Sequence, residues 1–390
     1  MLYLIAWLTD CALILFLFSV TRVLAEQQAS PWMLGTLGAA FFLASAISST
    51  LAGRLSDRVG RKAVAISGSI GLVASLSVLL LFDSGAWRFY VAYACAGISV
   101  GHIYPPVIAL LSRCAGPREA SRRFLRFGLA FNLGILVGQM GGGWLYDHVT
   151  PEAPLLTAIG LAVVTVLCLF GVSERGGVEA GAAGAAASLE GPGLSLRERS
   201  SARRFIRLAW LANFAGMFSM STLWFLFPAL AVALEIPAEE HGVVLGVGRA
   251  TVMGVYLLMH LVPVWHYRFG YSVAAQVLGL GGMLLVCVGN HAAALATGVV
   301  LLSVLLGYNY FASLFYNRSG HGEAGKGAAF GLNEAFLSLG AGGGSLLGGW
   351  AATGWGERGP FQIAAVVIAL GLVAQVAWFL VGRPSSQRSS

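Results

Sequence analysis

Stretches of about twenty apolar residues recur along the whole chain, separated by short polar turns, a pattern that one water-soluble core does not require. Each residue advances a helix by about 1.5 Å, so a stretch of that length crosses a hydrocarbon core of about 30 Å. Twelve can be placed, at residues 1–24, 32–52, 63–82, 87–113, 123–146, 154–172, 204–230, 241–264, 271–288, 293–318, 327–352 and 360–382. With 57% hydrophobic residues, 390 residues carry more apolar surface than a single soluble core would bury. The expected fold is an all-α membrane protein with twelve transmembrane helices. The first apolar run starts at Met1 without a basic lead and is followed by Glu26 and Gln27 rather than a small-residue cleavage site, so it is expected to be retained as a helix.

A net charge of +7 invites a nucleic-acid reading, but the distribution of charge gives another answer. With both termini on the cytoplasmic side, 20 of the 24 cations fall on inner segments; Arg22, Arg88 and Arg358 lie outside, and Arg249 lies within a helix. That bias follows the positive-inside rule and makes nucleic-acid binding unnecessary. The five cysteines, Cys11, Cys95, Cys114, Cys168 and Cys287, have no metal-ligand spacing and read as small apolar side chains. Trp32, Trp87 and Trp144 lie near helix ends and read as interfacial anchors.

The segment Gly53-Arg54-Leu55-Ser56-Asp57-Arg58-Val59-Gly60-Arg61-Lys62 packs four cations, one acid and two glycines between two apolar runs. Such a segment cannot lie in hydrocarbon, and a short, tightly folded loop at its edge is expected. It resembles motif A of the major facilitator superfamily, G-x-x-x-D-R-x-G-R-K/R, at every key position. The resemblance implies two pseudo-symmetric six-helix bundles that rock about a central site. It also implies a conformational gate of Gly53, Asp57, Arg58, Gly60 and Arg61 that latches the cytoplasmic ends in the outward-open state.

Residues 173–203 shift to Gly, Ala and Ser and read as a flexible cytoplasmic linker between an N-terminal bundle (1–172) and a C-terminal bundle (204–383), with a tail at 384–390. Setting each position against the one 206 residues later aligns Gly134 with Gly340, Gly138 with Gly344, Gly142 with Gly348, Gly143 with Gly349 and Trp144 with Trp350. The second copy of the charged loop keeps Arg268-Phe269-Gly270 but loses the acid. Glycines four apart share a helix face, which serves either tight packing or a sliding interface between the halves. Residues 134–143 resemble the superfamily's Gly-rich antiporter motif, with Gln139-Met140 where Gly-Pro is usual. Residues 97–106 resemble its motif B region, with Tyr93 where that motif has an Arg.

The resemblance places the first and fourth helices of each half around the cavity. Asp10, His102, Asn213 and Asn309 lie about nine to eleven residues from the inner ends of those helices, near the midplane of a core of about 30 Å. Tyr308 and Tyr310 flank Asn309. A charge at that depth costs roughly 2.5–3.5 kcal/mol, so Asp10 must be protonated, paired or hydrated. Histidine is the side chain that ordinarily changes charge near neutrality, and His102 is the expected partner of Asp10 in carrying a proton. A helix–helix hydrogen bond for Asp10 and a carbonyl bond for His102 are the structural alternatives. Arg249 is expected to anchor an anionic substrate or the proton form of the cavity, or else to pair across the halves. Glu334 is expected either in the cavity or at the cytoplasmic gate.

There is no G-x-x-x-x-G-K-[ST] or H-E-x-x-H sequence, so neither an enzyme nor ATP-driven pumping is expected. No cofactor or metal is expected. The combined expectation is a monomeric, multi-pass secondary transporter in a cell membrane, the inner one if the source is bacterial. Its partners would be the lipid bilayer, protons and a small organic solute. Efflux is the leading expectation. An importer of a sugar or organic acid, a transport-inactive receptor or scaffold, and a lipid flippase are the alternatives.

Overall fold

The computed structural model describes residues 1–82, 84–111, 117–172, 196–320 and 323–381. Twelve long helices follow in order: α1 (Leu2–Glu26), α2 (Pro31–Val59), α3 (Arg61–Leu81), α4 (Trp87–Leu111), α5 (Pro117–His148), α6 (Ala153–Phe170), α7 (Leu196–Ala233), α8 (Ala238–Leu261), α9 (Phe269–Val288), α10 (Ala292–Gly320), α11 (Glu323–Trp355) and α12 (Gly359–Val381). Ten are long and apolar enough to cross a membrane. The other two, α5 and α11, are the glycine-rich pair, 32 and 33 residues long. No strand occurs among the described residues.

The pairings repeat after six helices. In the first half α1 packs on α5 and α6, α2 and α3 pack on α4, and α3 packs on α6. In the second half α7 packs on α11 and α12, α8 and α9 pack on α10, and α9 packs on α12. Between the halves, α5 lies along α8 and α2 along α11, again an equivalent pair, with α1 meeting α7 in the middle. This arrangement bears out the two pseudo-symmetric six-helix bundles. Of the expected linker, residues 173–195 lie outside the described residues, as does the tail; α7 begins at Leu196, upstream of the expected 204.

The aligned glycines divide between packing within each half and contact between the halves. A Cβ on Gly134 or Gly138 would run into the backbone of α1, and one on Gly340 or Gly344 into the backbone of α7, so these four allow close packing within each half. Gly143 and Gly349 instead face the other half, against Ala238 at the start of α8 and against Pro31 and Gly35 at the start of α2. The seam between the halves is therefore narrowest where glycine meets backbone.

The loop expected at residues 53–62 is corrected: α2 continues through Val59 and α3 resumes at Arg61, leaving Gly60 alone to turn the chain at φ 100°. The helices can continue because the cations lie beyond the apolar stretch and hold neighbouring helix ends. Arg61 donates to the Ala109 carbonyl (2.9 Å) near the end of α4. Lys62 donates to the Phe170 and Val172 carbonyls (2.8 and 2.7 Å) at the end of α6. Carbonyls there lack helical partners and carry the negative end of the dipole. In the second half the corresponding turn is aromatic. Trp265, in a short 3₁₀ turn (Pro263–Trp265), packs against Tyr308, Phe315 and Tyr316 and donates its indole N–H to Met259.

Gly60 has a backbone angle reserved for glycine, whereas a Cβ on Gly53 would meet nothing within 4 Å. Gly60→Ala should therefore destabilise the protein by about 1–3 kcal/mol. Gly53→Ala should be neutral or slightly stabilising. Thermal unfolding of the two purified variants checks the difference.

Candidate functional site

The helix that crosses the centre is α1, with 89% of its apolar window buried, and its counterpart is α7, at 78%. Asp10 lies on α1 and is 2% exposed. Tyr104 of α4 donates its hydroxyl to Asp10 Oδ2. Two features leave room for this bond. Gly134 of α5 faces α1 with no side chain, and a Cβ there would stand 3.1 Å from that of Asp10. Pro105 and Pro106 follow Tyr104 directly and remove two N–H groups from the α4 ladder, which loosens the helix at that point. Phe127 and Phe131 of α5 hold the Tyr104 ring edge-on.

From the other half, α8 brings Arg249 to the same region, 4% exposed and within electrostatic reach of Asp10 without closing a direct ion pair. Its guanidinium lies over the Trp224 ring of α7, 4.8 Å from the centroid, while Nε and Nη2 have no hydrogen-bond partner. Trp224 is fixed in turn by Gln139 of α5. With its amide oriented to suit both neighbours, Gln139 accepts from Trp224 Nε1 (3.1 Å) and donates to the Leu245 carbonyl (3.0 Å).

A polar track leads from Arg249 toward the end of the molecule that carries Arg54, Arg58, Arg61 and Lys62, the basic end. Tyr256 faces Asn132 and stacks on Tyr310, 6.3 Å between centroids. Tyr310 is within electrostatic reach of Glu334. Asn333 donates to Glu334 (3.4 Å) and accepts from Asn213 (2.9 Å). Glu334 is exposed, whereas Asn333 is buried and Tyr310 half-buried, so it marks where the track opens.

The opposite end is closed. Arg22 of α1 pairs with Glu26 (2.7 Å) and donates across the seam to the Ile236 carbonyl (3.0 Å). Tyr146 donates to Glu26, and Asp147 of α5 accepts the Glu239 N–H (2.7 Å), so one half caps the first turn of α8 in the other. Beneath this cap the His241 ring is fully buried between Phe18 and Phe227, with both nitrogens unpartnered. The cavity left there, lined by Phe18, Thr21, Gln139, Trp224, His241 and Leu245, measures about 10 Å³. That is room for no more than about one water.

The expected residues thus fall into two groups. Asp10, Arg249, Asn213 and Glu334 border the site or its opening. His102 does not reach Asp10: its Nδ1 lies 2.7 Å from Ser48 Oγ and 3.0 Å from the Ile98 carbonyl, against α2. Positions 102 and 104 differ by about 200° around a helix, so only one of them can face α1. Tyr308 belongs to the aromatic cluster around Trp265, and Asn309 gives its amide to the Leu305 carbonyl of its own helix. Among the gate residues, Asp57 is 73% exposed and meets Arg61 at 4.0 Å within its own half. Arg58 is exposed, Gly60 makes the turn and Gly53 faces open space. Tyr93 is buried against Phe16 of α1 and Phe225 of α7.

Sequence reasoning did not place Tyr104, Gln139, Trp224 or Tyr256 in the site, although it noted Gln139 as a departure from the glycine-rich motif. Trp224 carried a usable signal, since an indole far from either helix end has no interfacial role. Gln139 carried another, as an amide in a stretch otherwise made of glycine and apolar residues.

The family model described as Major Facilitator Superfamily matches residues 2–326. The chain belongs to that superfamily. It is 39% identical over 87 residues to the gentisate transporter of Corynebacterium glutamicum, which covers 22% of this chain and 19% of that protein. It is 34% identical over 142 residues to the class B tetracycline resistance protein of Escherichia coli, which covers 35% of this chain and 33% of that protein. The matches therefore span a third or less of these relatives. Among solved structures, the human organic anion transporter MFSD10 (TETRAN) covers 95% of the chain at TM-score 0.60 and 19% identity, with 99% of that chain matched. The nucleoside transporter NupG covers 97% at TM-score 0.70 and 12% identity, with 98% of that chain matched. At these identities the likeness is one of fold: a multi-pass helical membrane protein of the superfamily.

The geometry separates Tyr104 from His102. Losing a hydrogen bond to a charged group costs about 1.5–3 kcal/mol. Tyr104→Phe should therefore reduce solute flux at least tenfold, and His102→Asn should leave it within about twofold, measured side by side in proteoliposomes.

Proposed function

We propose that the protein is a secondary active transporter that moves a small organic solute by alternating access, with Asp10 as its proton carrier. The supporting observation is that Asp10 from one half and Arg249 from the other are enclosed together at mid-depth, with Tyr104 on the carboxylate and Trp224 on the guanidinium. A carboxylate so placed changes charge when access changes, because water reaches it from one side at a time. The closed end with Arg22 and Asp147 is read as the outer gate and the basic end as cytoplasmic, in a cell membrane with both termini inside. The arrangement is then an inward-open one, in which an exposed Asp57 corresponds to a released latch.

Direction depends on whether solute and proton bind together or in exchange. With protons driven inward, joint binding gives uptake and exchange gives efflux. The tetracycline resistance relative favours efflux; the gentisate transporter names an organic acid as solute and gives no direction.

Asp10→Asn keeps the shape of the side chain but cannot release a proton. It should abolish gradient-driven accumulation while solute counterflow persists, measured in proteoliposomes with a solute first found by thermal-shift screening. Undiminished pH-driven transport by the variant would exclude Asp10 as the carrier and direct attention to Glu334.

A further inference from the structure

Arg249 has more binding capacity than its surroundings use. Its Nε and Nη2 are enclosed and unpartnered, and these two N–H groups lie along one edge of the guanidinium, the edge that grips a carboxylate in a two-bond fork. The face of the group is already occupied by Trp224. Asp10 is close enough to act on Arg249 electrostatically but does not occupy that edge as an ion pair. Leaving buried charged donors unmade is costly, so the edge is poised for an anionic acceptor. Tyr256 and Tyr310 lie along the open side and offer aromatic surface.

We propose that this edge of Arg249 binds the carboxylate of a small organic acid, and that the acid binds together with a proton on Asp10. The proposal rests on the reading of Asp10 as the proton carrier and adds the class of solute and the mode of coupling. The groups that face Asp10 are Tyr104 from α4 and Arg249 from α8, with Cys11 beside it on α1. On the α5 side stands Gly134, which has nothing to titrate. Arg249 is the only cation of that set. With Asp10 ionised, a second carboxylate brought to the same guanidinium is repelled by the first in a medium of low dielectric. Protonation of Asp10 removes the repulsion while Tyr104 keeps the carboxyl in place. One negative charge and one proton then enter together, the site gains no net charge, and the two are carried in the same direction. That is uptake by symport.

The test uses the purified full-length chain in detergent and a panel of small monocarboxylates from acetate to phenylacetate, each matched to its neutral amide. Binding is measured by titration calorimetry in two buffers that differ in ionisation heat. At least one acid should bind ten or more times better than its amide, taking up one proton. Arg249→Gln should lose that preference, and Arg249→Lys, which keeps the charge without the fork, should weaken it at least tenfold. Preference for acids that survives in both variants, or a panel in which no acid exceeds its amide, overturns the carboxylate site. Arg249-dependent binding of an acid without proton uptake overturns the joint mode. Loss of that uptake in Asp10→Asn supports Asp10 as the carrier, and its persistence there refutes that reading separately.

Discussion

Two opposite charges near the middle of a bilayer constrain everything built around them. On the lenient insertion scale each costs about 2.5–3.5 kcal/mol, so Asp10 and Arg249 together cost on the order of 5–7 kcal/mol, comparable with the whole net stability of many folds. Because the two groups act on each other without closing an ion pair, their mutual attraction recovers only part of that. The Tyr104 hydroxyl and the Trp224 ring supply the rest, a charged hydrogen bond and a desolvated cation–π contact worth about 2 kcal/mol each. Apolar residues of the same volume would hold the halves together at least as well. The retention of both charges therefore argues for use rather than for stability.

The position of the pair gives it leverage. Asp10 belongs to the first half and Arg249 to the second, and the long seams between the halves run along α5–α8 and α2–α11. Glycines narrow those seams at Gly143 and Gly349, where backbone meets backbone and little side-chain packing must be rearranged when the surfaces separate. At the closed end the contacts across the seam combine hydrogen bonds to helix termini, Arg22 to Ile236 and Asp147 to Glu239, with His148 beside Glu239 (3.8 Å) and Phe18 packed on His241. The hydrogen bonds each have one charged partner and are individually worth about 1.5–3 kcal/mol, and they can be exchanged for water.

Much of the fold was legible because hydrophobic length and the period of the repeat are written directly in the chain. The twelve helices, the division after six, and the Gly134 to Gly349 correspondence follow from counting. Depth was legible as well, which is why Asp10 and Arg249 stood out before any contact was known. Rotation about the helix axis was not. His102 and Tyr104 lie at nearly the same depth, and the choice between them depends on which way α4 faces, which is set by its packing on α2 and α3. The same blindness put Tyr308 in the site and left out Tyr256. The charged segment at residues 53–62 misled in another way: its polarity correctly marks the end of the hydrocarbon, but polarity alone does not end a helix, and only Gly60 does so there.

The central claim is that Asp10 and Arg249 act on one another across the halves. A double-mutant cycle tests it most directly, using Asp10→Asn, Arg249→Gln and their combination. Spin labels at Glu152 and Glu357, on equivalent loops of the closed end, report the populations of the open and closed forms by pulsed dipolar spectroscopy at neutral pH. The account predicts that the two effects on this equilibrium depart from additivity by about 1 kcal/mol or more. Additivity within about 0.3–0.5 kcal/mol would mean that the two residues do not sense each other and would contradict it.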